Sequence, residues 1–287
     1  HGGATGDIDN DGDMDVVITE TNWKTGTALW CLMNDGTGYL NKRKCGGIFS
    51  FALELADIDG DGYLDVLLGA NEYEKSIDFT GIVWNDGRGN FPKHNTTSLP
   101  QHKNKWGTIP EVSAADLDND GDLDIAYSRA GELYVGTAIQ IIENLGNKKF
   151  KDHGIFPLVE APDDYVPVHE GNEWNDYIEA IRFRDLDKDG DIDLYLSSSM
   201  SRKTNGMVLL NQGDFNFSIT KPSNIDGIYE KLDDSSVVIT KKVLTSLAKT
   251  KETKDSRKFE SSIKKNGKVW FLKPEIAIIN EIEKIQL

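Results

Sequence analysis

An acidic loop of the form Asp-x-Asp-x-Asp-Gly-x-x-Asp occurs four times in this chain, and the repetition limits the possible folds more than any other feature. The four loops begin at Asp7, Asp57, Asp116 and Asp185. Their starts therefore lie 50, 59 and 69 residues apart. Self-similarity at intervals of this size is typical of repeat proteins, in which each repeat is one structural unit.

An Asn-x-Gly turn follows every acidic loop at a nearly constant distance. The four asparagines are Asn34, Asn85, Asn144 and Asn211, and each lies 26 to 28 residues after the first aspartate of its loop. An apolar run precedes each turn, and an aromatic residue follows it: Tyr39, Phe91, Phe150 and Phe217. This order is typical of a β-hairpin. Two motifs that keep one spacing four times predict four copies of one unit.

Each unit is predicted to contain four short strands. In the second repeat we place them at 51–55, 66–69, 81–84 and around Phe91. The acidic loop then joins the first and second strands, and the Asn-x-Gly turn joins the third and fourth. One sheet of four short strands cannot bury both of its faces alone. The sequence therefore predicts an all-β fold, a β-propeller whose blades are four-stranded antiparallel sheets.

The repeats divide the chain into two predicted parts. Residues 1–220 hold the four repeats with acidic loops, and residues 221–287 form a degenerate fifth repeat with a basic polar insertion. The segment 232–240 looks like a shortened repeat, but it lacks the Asp-x-Asp-x-Asp-Gly core, so we assign no ion to it. We expect about five blades, either in a closed ring or in a larger ring with further blades upstream of His1.

The acidic loops are suited to Ca²⁺, a hard cation that takes six to eight oxygen ligands. We assign side-chain oxygens to the first, third, fifth and ninth loop positions and the backbone carbonyl to the seventh, with the glycine at the sharp turn. The predicted ligands are Asp7, Asp9, Asp11, Asp13 and Asp15; Asp57, Asp59, Asp61, Tyr63 and Asp65; Asp116, Asp118, Asp120, Asp122 and Asp124; and Asp185, Asp187, Asp189, Asp191 and Asp193. About four bound Ca²⁺ are expected. Closed cages of this kind indicate a stabilising role rather than a catalytic one, because catalysis requires an open coordination position.

An EF-hand is the main alternative for such loops, since its loop starts with the same pattern. The twelfth position of an EF-hand loop is a bidentate Glu. Here that position is occupied by Ile18, Leu68, Tyr127 and Leu196, which lie in apolar strand-like runs. The EF-hand interpretation therefore fails.

The loops and turns together resemble the FG-GAP/VCBS repeat family, which forms integrin-type propeller blades. The resemblance covers roughly residues 4–220. It departs from the family pattern only at Tyr63, a position that would use its backbone. The resemblance implies an extracellular, calcium-bearing propeller, and it does not imply any one activity.

Composition excludes several other classes of protein. The net charge of −16 disfavours binding to nucleic acid. No run of 18 apolar residues occurs, so no membrane span is predicted. Cys31 and Cys45 are the two cysteines and form no Cys-x-x-Cys pair, which removes support for a zinc site. They are compatible with one disulfide or with two free thiols.

Ligand binding is predicted at the end of the sheets opposite the acidic loops, because the connections there vary in length and carry aromatic residues. The candidate ligand-binding residues are Trp23, Tyr73, Trp106 and Trp174. We expect partly exposed rings and an extracellular, cell-surface or periplasmic binding or adhesion module for a carbohydrate or a protein. The alternative is a carbohydrate-active enzyme, similar to a polysaccharide lyase, with His102, His169 or Tyr165 as acid or base. No nucleophile motif or catalytic spacing favours that alternative.

Overall fold

Four antiparallel sheets of four strands each account for most of the regular structure in the part of the chain that the computed structural model describes. The described residues are 2–20, 28–48, 50–73, 79–166, 174–198 and 203–225. The predicted fifth repeat falls almost entirely on residues 226–287, which lie outside the described residues. Among the described residues, no helix has the length and apolar character that a membrane crossing requires.

The strands follow the chain in order from β1 to β16. The first sheet contains β1 Gly3–Gly6, β2 Asp15–Glu20, β3 Ala28–Asn34 and β4 Leu40–Gly46, and the second contains β5 Ala52–Ala56, β6 Asp65–Gly69, β7 Gly81–Val83 and β8 Thr96–Ser98. The third contains β9 Thr108–Ala115, β10 Asp124–Ala130, β11 Thr137–Asn144 and β12 Phe150–Val159, and the fourth contains β13 Ala180–Arg184, β14 Asp193–Ser197, β15 Val208–Asn211 and β16 Phe217–Thr220. Two short 3₁₀ turns lie at Glu132–Tyr134 and Pro222–Asn224.

The connections within each sheet are those that the sequence predicts. Every acidic loop joins the first and second strands, and every Asn-x-Gly turn joins the third and fourth. The prediction of a fourth strand around Phe91 is wrong, because that strand is Thr96–Ser98. Phe91 instead forms a parallel bridge to Gly46 of the first sheet, and its ring is completely buried. Its N–H donates to the Cys45 carbonyl over 2.7 Å, so this aromatic residue joins two sheets.

Within the described part of the chain, three hydrophobic cores lie between successive sheets. The first core joins sheets one and two, the second joins sheets two and three, and the third joins sheets three and four. Strands β6 and β10 are buried along their whole length because they pack against a neighbouring sheet on each face. Burial of apolar area on both faces is the main source of stability for these narrow sheets.

The first strands of neighbouring sheets also contact one another. Contacts join β1 to β5, β5 to β9 and β9 to β13. The all-β class and the four-stranded antiparallel units are therefore confirmed, while closure into a ring stays a prediction.

Cys31 and Cys45 form a disulfide between β3 and β4, with their Cα atoms 5.7 Å apart. Both residues are buried in the first core. Of the two states that the sequence left open, the structure has the disulfide.

The asparagine of each later turn is bonded to the acidic loop of the preceding sheet. The Nδ2 of Asn85 donates to the Ile8 carbonyl over 2.8 Å, and the Nδ2 of Asn144 donates to the Ile58 carbonyl over 2.8 Å. Asn211 makes the same bond to Leu117 over 2.6 Å. Each of these asparagines is buried, so the bond satisfies polar groups that water does not reach.

This bond between sheets can be tested with Asn144→Ala. The variant loses the hydrogen bonds that the Asn144 amide donates to the carbonyls of Ile58 and Leu123, so each carbonyl oxygen has one donor fewer. We expect the free energy of unfolding in urea to fall by about 2–3 kcal/mol. Asn34→Ala is the matched control, because the Asn34 amide donates only within its own sheet, to Met14, among the described residues. A loss as large in the control as in Asn144→Ala would contradict a specific role for the bond between sheets.

Candidate functional site

Each acidic loop brings three carboxylates together. In every group one oxygen from each residue lies within 4.8 Å of the other two. The groups are Asp7, Asp9 and Asp15; Asp57, Asp59 and Asp61; Asp116, Asp118 and Asp124; and Asp185, Asp187 and Asp193. The other predicted ligands lie outside these groups: Asp11, Asp13, Tyr63, Asp65, Asp120, Asp122, Asp189 and Asp191.

The shape of each loop follows from bonds between its first aspartate and its own backbone. In the first loop, Asp7 accepts the N–H of Asp11 over 3.1 Å and the N–H of Gly12 over 2.9 Å. Gly12 has φ +96°, a left-handed conformation that glycine adopts without steric cost. Asp57 and Asp116 accept the equivalent pair of bonds in the second and third loops. The carboxylates are therefore held in position by the chain itself.

The last aspartate of each loop has a structural role that the sequence did not indicate. Asp124 is 0% exposed. One of its carboxylate oxygens accepts the N–H of Leu117 in the loop, and the other accepts the N–H of Asn144 in the turn, both over 2.8 Å. Asp15, Asp65 and Asp193 make the same two kinds of bond. Each of these residues fastens an acidic loop to the turn beside it.

The glycine of each Asn-x-Gly turn lies close to the side chain at the seventh position of the acidic loop, which leaves little room for a larger residue. A Cβ on Gly36 would lie 2.8 Å from the Asp13 carboxylate, and one on Gly146 would lie 3.2 Å from that of Asp122. Both glycines also have positive φ. Fifth-position aspartates cap the loop, as Asp11 does by accepting the Asp13 N–H over 2.9 Å; Asp61 accepts the equivalent bond and also belongs to the carboxylate group of the second loop.

The electrostatics of the loops favour a bound cation. Burial, together with the neighbouring carboxylates, raises the pKa values of Asp9, Asp118 and Asp187. Burial also raises the pKa values of Asp65 and Asp124 to about 7. In addition, Oδ1 of Asp9 is buried and accepts no hydrogen bond from the described residues. Crowded carboxylates that lack a counter-ion are suitable ligands for a hard divalent cation.

The second loop differs from the others because a lysine reaches it from the next sheet. The Nζ of Lys148 lies 2.9 Å from Oδ2 of Asp59 and 4.0 Å from the centre of the Trp84 ring. Lys148 belongs to the turn that follows Asn144, so its partner is far away in the sequence. The sequence contained no signal for this contact.

A cleft of about 310 Å³ lies at the opposite end of the sheets, among the connections that follow β6, β8, β10 and β12. Tyr73, Trp106 and Tyr165 all line it. Trp106 is only 6% exposed, so the expectation of a partly exposed ring is wrong for this residue. Its ring packs against Gly136, where a Cβ would lie 3.0 Å away.

The other predicted ligand-binding or catalytic residues lie elsewhere. Trp174 is half-buried, with the Nζ of Lys203 3.8 Å from its ring centre, and it does not line the cleft. His102 pairs with Asp152 over 3.1 Å. Trp23 and His169 lie outside the described residues.

A buried ion pair bonds to the backbone of the connection that supplies Trp106 to the cleft. Arg129 and Glu72 have completely buried side chains that meet over 3.1 Å. Arg129 also donates to the Trp106 carbonyl over 2.7 Å, and Glu72 accepts the His102 N–H over 2.7 Å. Breaking such a pair is costly because the remaining charge loses its partner.

The first strands carry a second charged group that the sequence did not predict. Glu54 on β5, Glu111 on β9 and Arg182 on β13 interact electrostatically across three neighbouring sheets. Burial, with a further contribution from the Glu54 carboxylate, raises the pKa of Glu111 to about 7, although Arg182 opposes the shift.

This pKa makes stability depend on pH in a definite direction. Folded Glu111 holds its proton more tightly than unfolded Glu111 does, so its contribution is fully present below about pH 4.5 and is lost as pH rises through about 7. Glu111→Gln keeps the group uncharged, so we expect its melting temperature to exceed that of the wild type at pH 8 and to match it near pH 4.5. Glu132→Gln, at an exposed position, is the control. A gap between Glu111→Gln and wild type that is the same at both pH values would contradict the assignment.

One family of known proteins matches this arrangement. The model of the FG-GAP-like repeat matches the chain twice, at residues 7–68 and 57–127. Each match begins at the first aspartate of an acidic loop and ends in the second strand of the next sheet. No curated protein sequence matches the chain. Residues 7–127 are therefore similar to FG-GAP-like repeats, as the resemblance of the loops and turns predicts.

Proposed function

We propose that the chain is a calcium-stabilised β-propeller that works outside the cytoplasm as a binding or adhesion module for a carbohydrate or protein ligand. The observation that carries this proposal is the set of four three-carboxylate groups, one on each sheet. The similarity of residues 7–127 to FG-GAP-like repeats, the disulfide and the cleft at the opposite end support it.

Calcium is the cation that suits these groups best. All the converging donors are hard carboxylate oxygens, and no histidine or cysteine belongs to any group among the described residues. The first, third and ninth loop positions would hold the ion in three loops, and the first, third and fifth would hold it in the second. Bound Ca²⁺ would neutralise the crowded carboxylates and fasten each loop. This role is structural, since most of the same carboxylates are also bonded to the backbone.

The arrangement of the sheets supports a propeller. Each sheet packs on the next through a separate core, and the first strands succeed one another in chain order. Radial packing of meander sheets around an axis has this contact pattern. The acidic loops then occupy one end and the longer connections the other.

Placement outside the cytoplasm rests on two physical arguments. A disulfide such as Cys31–Cys45 persists in oxidising compartments and is rare in the cytosol. Calcium sites of the extracellular type, with dissociation constants of about 10⁻⁴–10⁻³ M, fill only where calcium is abundant.

Calcium binding should raise stability because the ion binds only the folded chain. We expect about four Ca²⁺ per chain by titration calorimetry, and at a hundredfold excess over the dissociation constant each site adds about 2.7 kcal/mol. Excess EDTA should lower the melting temperature. The double variant Asp118→Ala, Asp120→Ala should lose one ion and keep those of the first two loops. An unchanged melting temperature in EDTA, or the loss of all four ions in the variant, would contradict the proposal.

The lysine contact should make the second site weaker than the others. Lys148→Met removes an ammonium that pairs with Asp59 and competes with the cation. We expect the affinity of one of the four sites to rise roughly two- to fivefold, the range typical of an exposed ion pair. Lys149→Met is the matched control, because Lys149 is the adjacent, exposed lysine of the same turn. Equal calcium isotherms for the two variants would show that Lys148 does not compete.

A further inference from the structure

We propose that the cleft at the end opposite the acidic loops binds a neutral saccharide. This inference rests on the proposed function, because it names the ligand class of the proposed binding module. It requires the folded sheets but not bound calcium. The cleft draws its lining from four connections of the second and third sheets, and its volume of about 310 Å³ lies at the lower end of the range for small-molecule sites.

Aromatic rings and hydroxyls in the lining suit a sugar ring. Tyr73, Trp106 and Tyr165 supply apolar ring surface, on which the C–H faces of a sugar can stack. The Tyr165 hydroxyl is buried and has no hydrogen-bond partner among the described residues. A buried polar group without a partner is costly. A sugar hydroxyl, which both donates and accepts, would satisfy it once the Tyr165 side chain turns toward the cleft, since less than 1 Å² of the hydroxyl oxygen is exposed without a ligand.

The charges in the lining argue against other ligand classes. Glu132 and Asp163 place two carboxylates there, while the ammonium of Lys105 is paired with Glu160 over 2.8 Å. An anionic ligand would therefore meet net negative charge, and an apolar ligand would strip water from the carboxylates. The ammonium of Lys105 lies 5.5 Å from the Trp106 ring centre, so the cation–π position beside that ring is already filled by the chain itself. A neutral polyhydroxylated ring carries no charge to be repelled and can accept hydrogen bonds from, and donate them to, the polar groups of the lining.

The cleft is held in shape before any ligand binds. Arg129 bonds to the Trp106 carbonyl, and the Glu72 N–H donates to the Gly107 carbonyl over 2.6 Å. The Tyr73 ring packs on Gly107, where a Cβ would lie 2.9 Å from it. The buried Glu72–Arg129 pair thus positions two of the three aromatic residues. A pre-formed site loses less entropy when it binds.

The test uses the full chain in saturating Ca²⁺ and an array of neutral hexasaccharides, namely cello-, malto-, manno- and chitohexaose, with hexagalacturonate as the anionic counterpart. We expect at least one neutral hexasaccharide to bind and hexagalacturonate to bind more weakly. Tyr165→Phe, which removes only the unpartnered hydroxyl, should weaken that binding roughly five- to thirtyfold without lowering the melting temperature. Asn104→Ala, at an exposed position in the lining, is a second variant that should also weaken binding.

Tyr39→Phe is the control, because Tyr39 is 65% exposed and follows a turn at the acidic-loop end. The inference is overturned if no neutral hexasaccharide binds, if hexagalacturonate binds more tightly, or if both cleft variants bind like the control. Calcium stoichiometry and the effect of EDTA are measured on the same samples. Normal calcium binding without saccharide binding refutes the cleft alone, whereas saccharide binding without any response to calcium refutes the metal assignment alone.

Discussion

The two hydrogen bonds to the buried aspartate at the end of each acidic loop underlie the rest of the structure. In the third sheet, Asp124 accepts one N–H from Leu117 in the loop and one from Asn144 in the turn. These two bonds favour the ionised form of Asp124 and offset part of the cost of burying it, although burial still raises its pKa to about 7. The turn is thereby placed so that the Asn144 side chain reaches Ile58 of the preceding sheet. The buried aspartate thus fixes the turn within its own sheet, and the turn asparagine then bonds to the preceding sheet.

The two ends of the sheets differ because only the acidic-loop end must form the same hydrogen bonds in every repeat. At that end every repeat has an equivalent buried aspartate and turn asparagine whose hydrogen bonds must be made, so the four repeats keep nearly the same sequence there. The opposite end has no such shared requirement, and its connections differ in length and composition. It is there that the buried Glu72–Arg129 pair and the aromatic cleft occur. Rigid sheets that carry variable connections are a common way to build a binding site.

Hydrogen bonds join neighbouring acidic loops directly. Asn10 donates to the Gly62 carbonyl over 2.9 Å, and Asn119 donates to the Asp191 carboxylate over 3.2 Å. Both asparagines occupy the fourth loop position with positive φ. Ordering of one loop by a bound cation would therefore restrict its neighbour as well, and the proposed ions would support the contacts between sheets in addition to their own loops.

The sequence by itself determined the features that depend on neighbours along the chain: the repeat, the four strands of each sheet, the acidic loops and their glycines. It erred at Phe91, where packing between sheets overrides a local strand pattern. Tertiary structure alone decided which carboxylates converge, the pairing of Cys31 with Cys45, the approach of Lys148 to Asp59 and the burial of Trp106. The physical reason differs between these features. Which carboxylates converge depends on how each loop folds back on itself, which its residue pattern does not specify. Cys31 meets Cys45 only when β3 pairs with β4, and Lys148 meets Asp59 only when one sheet packs against the next.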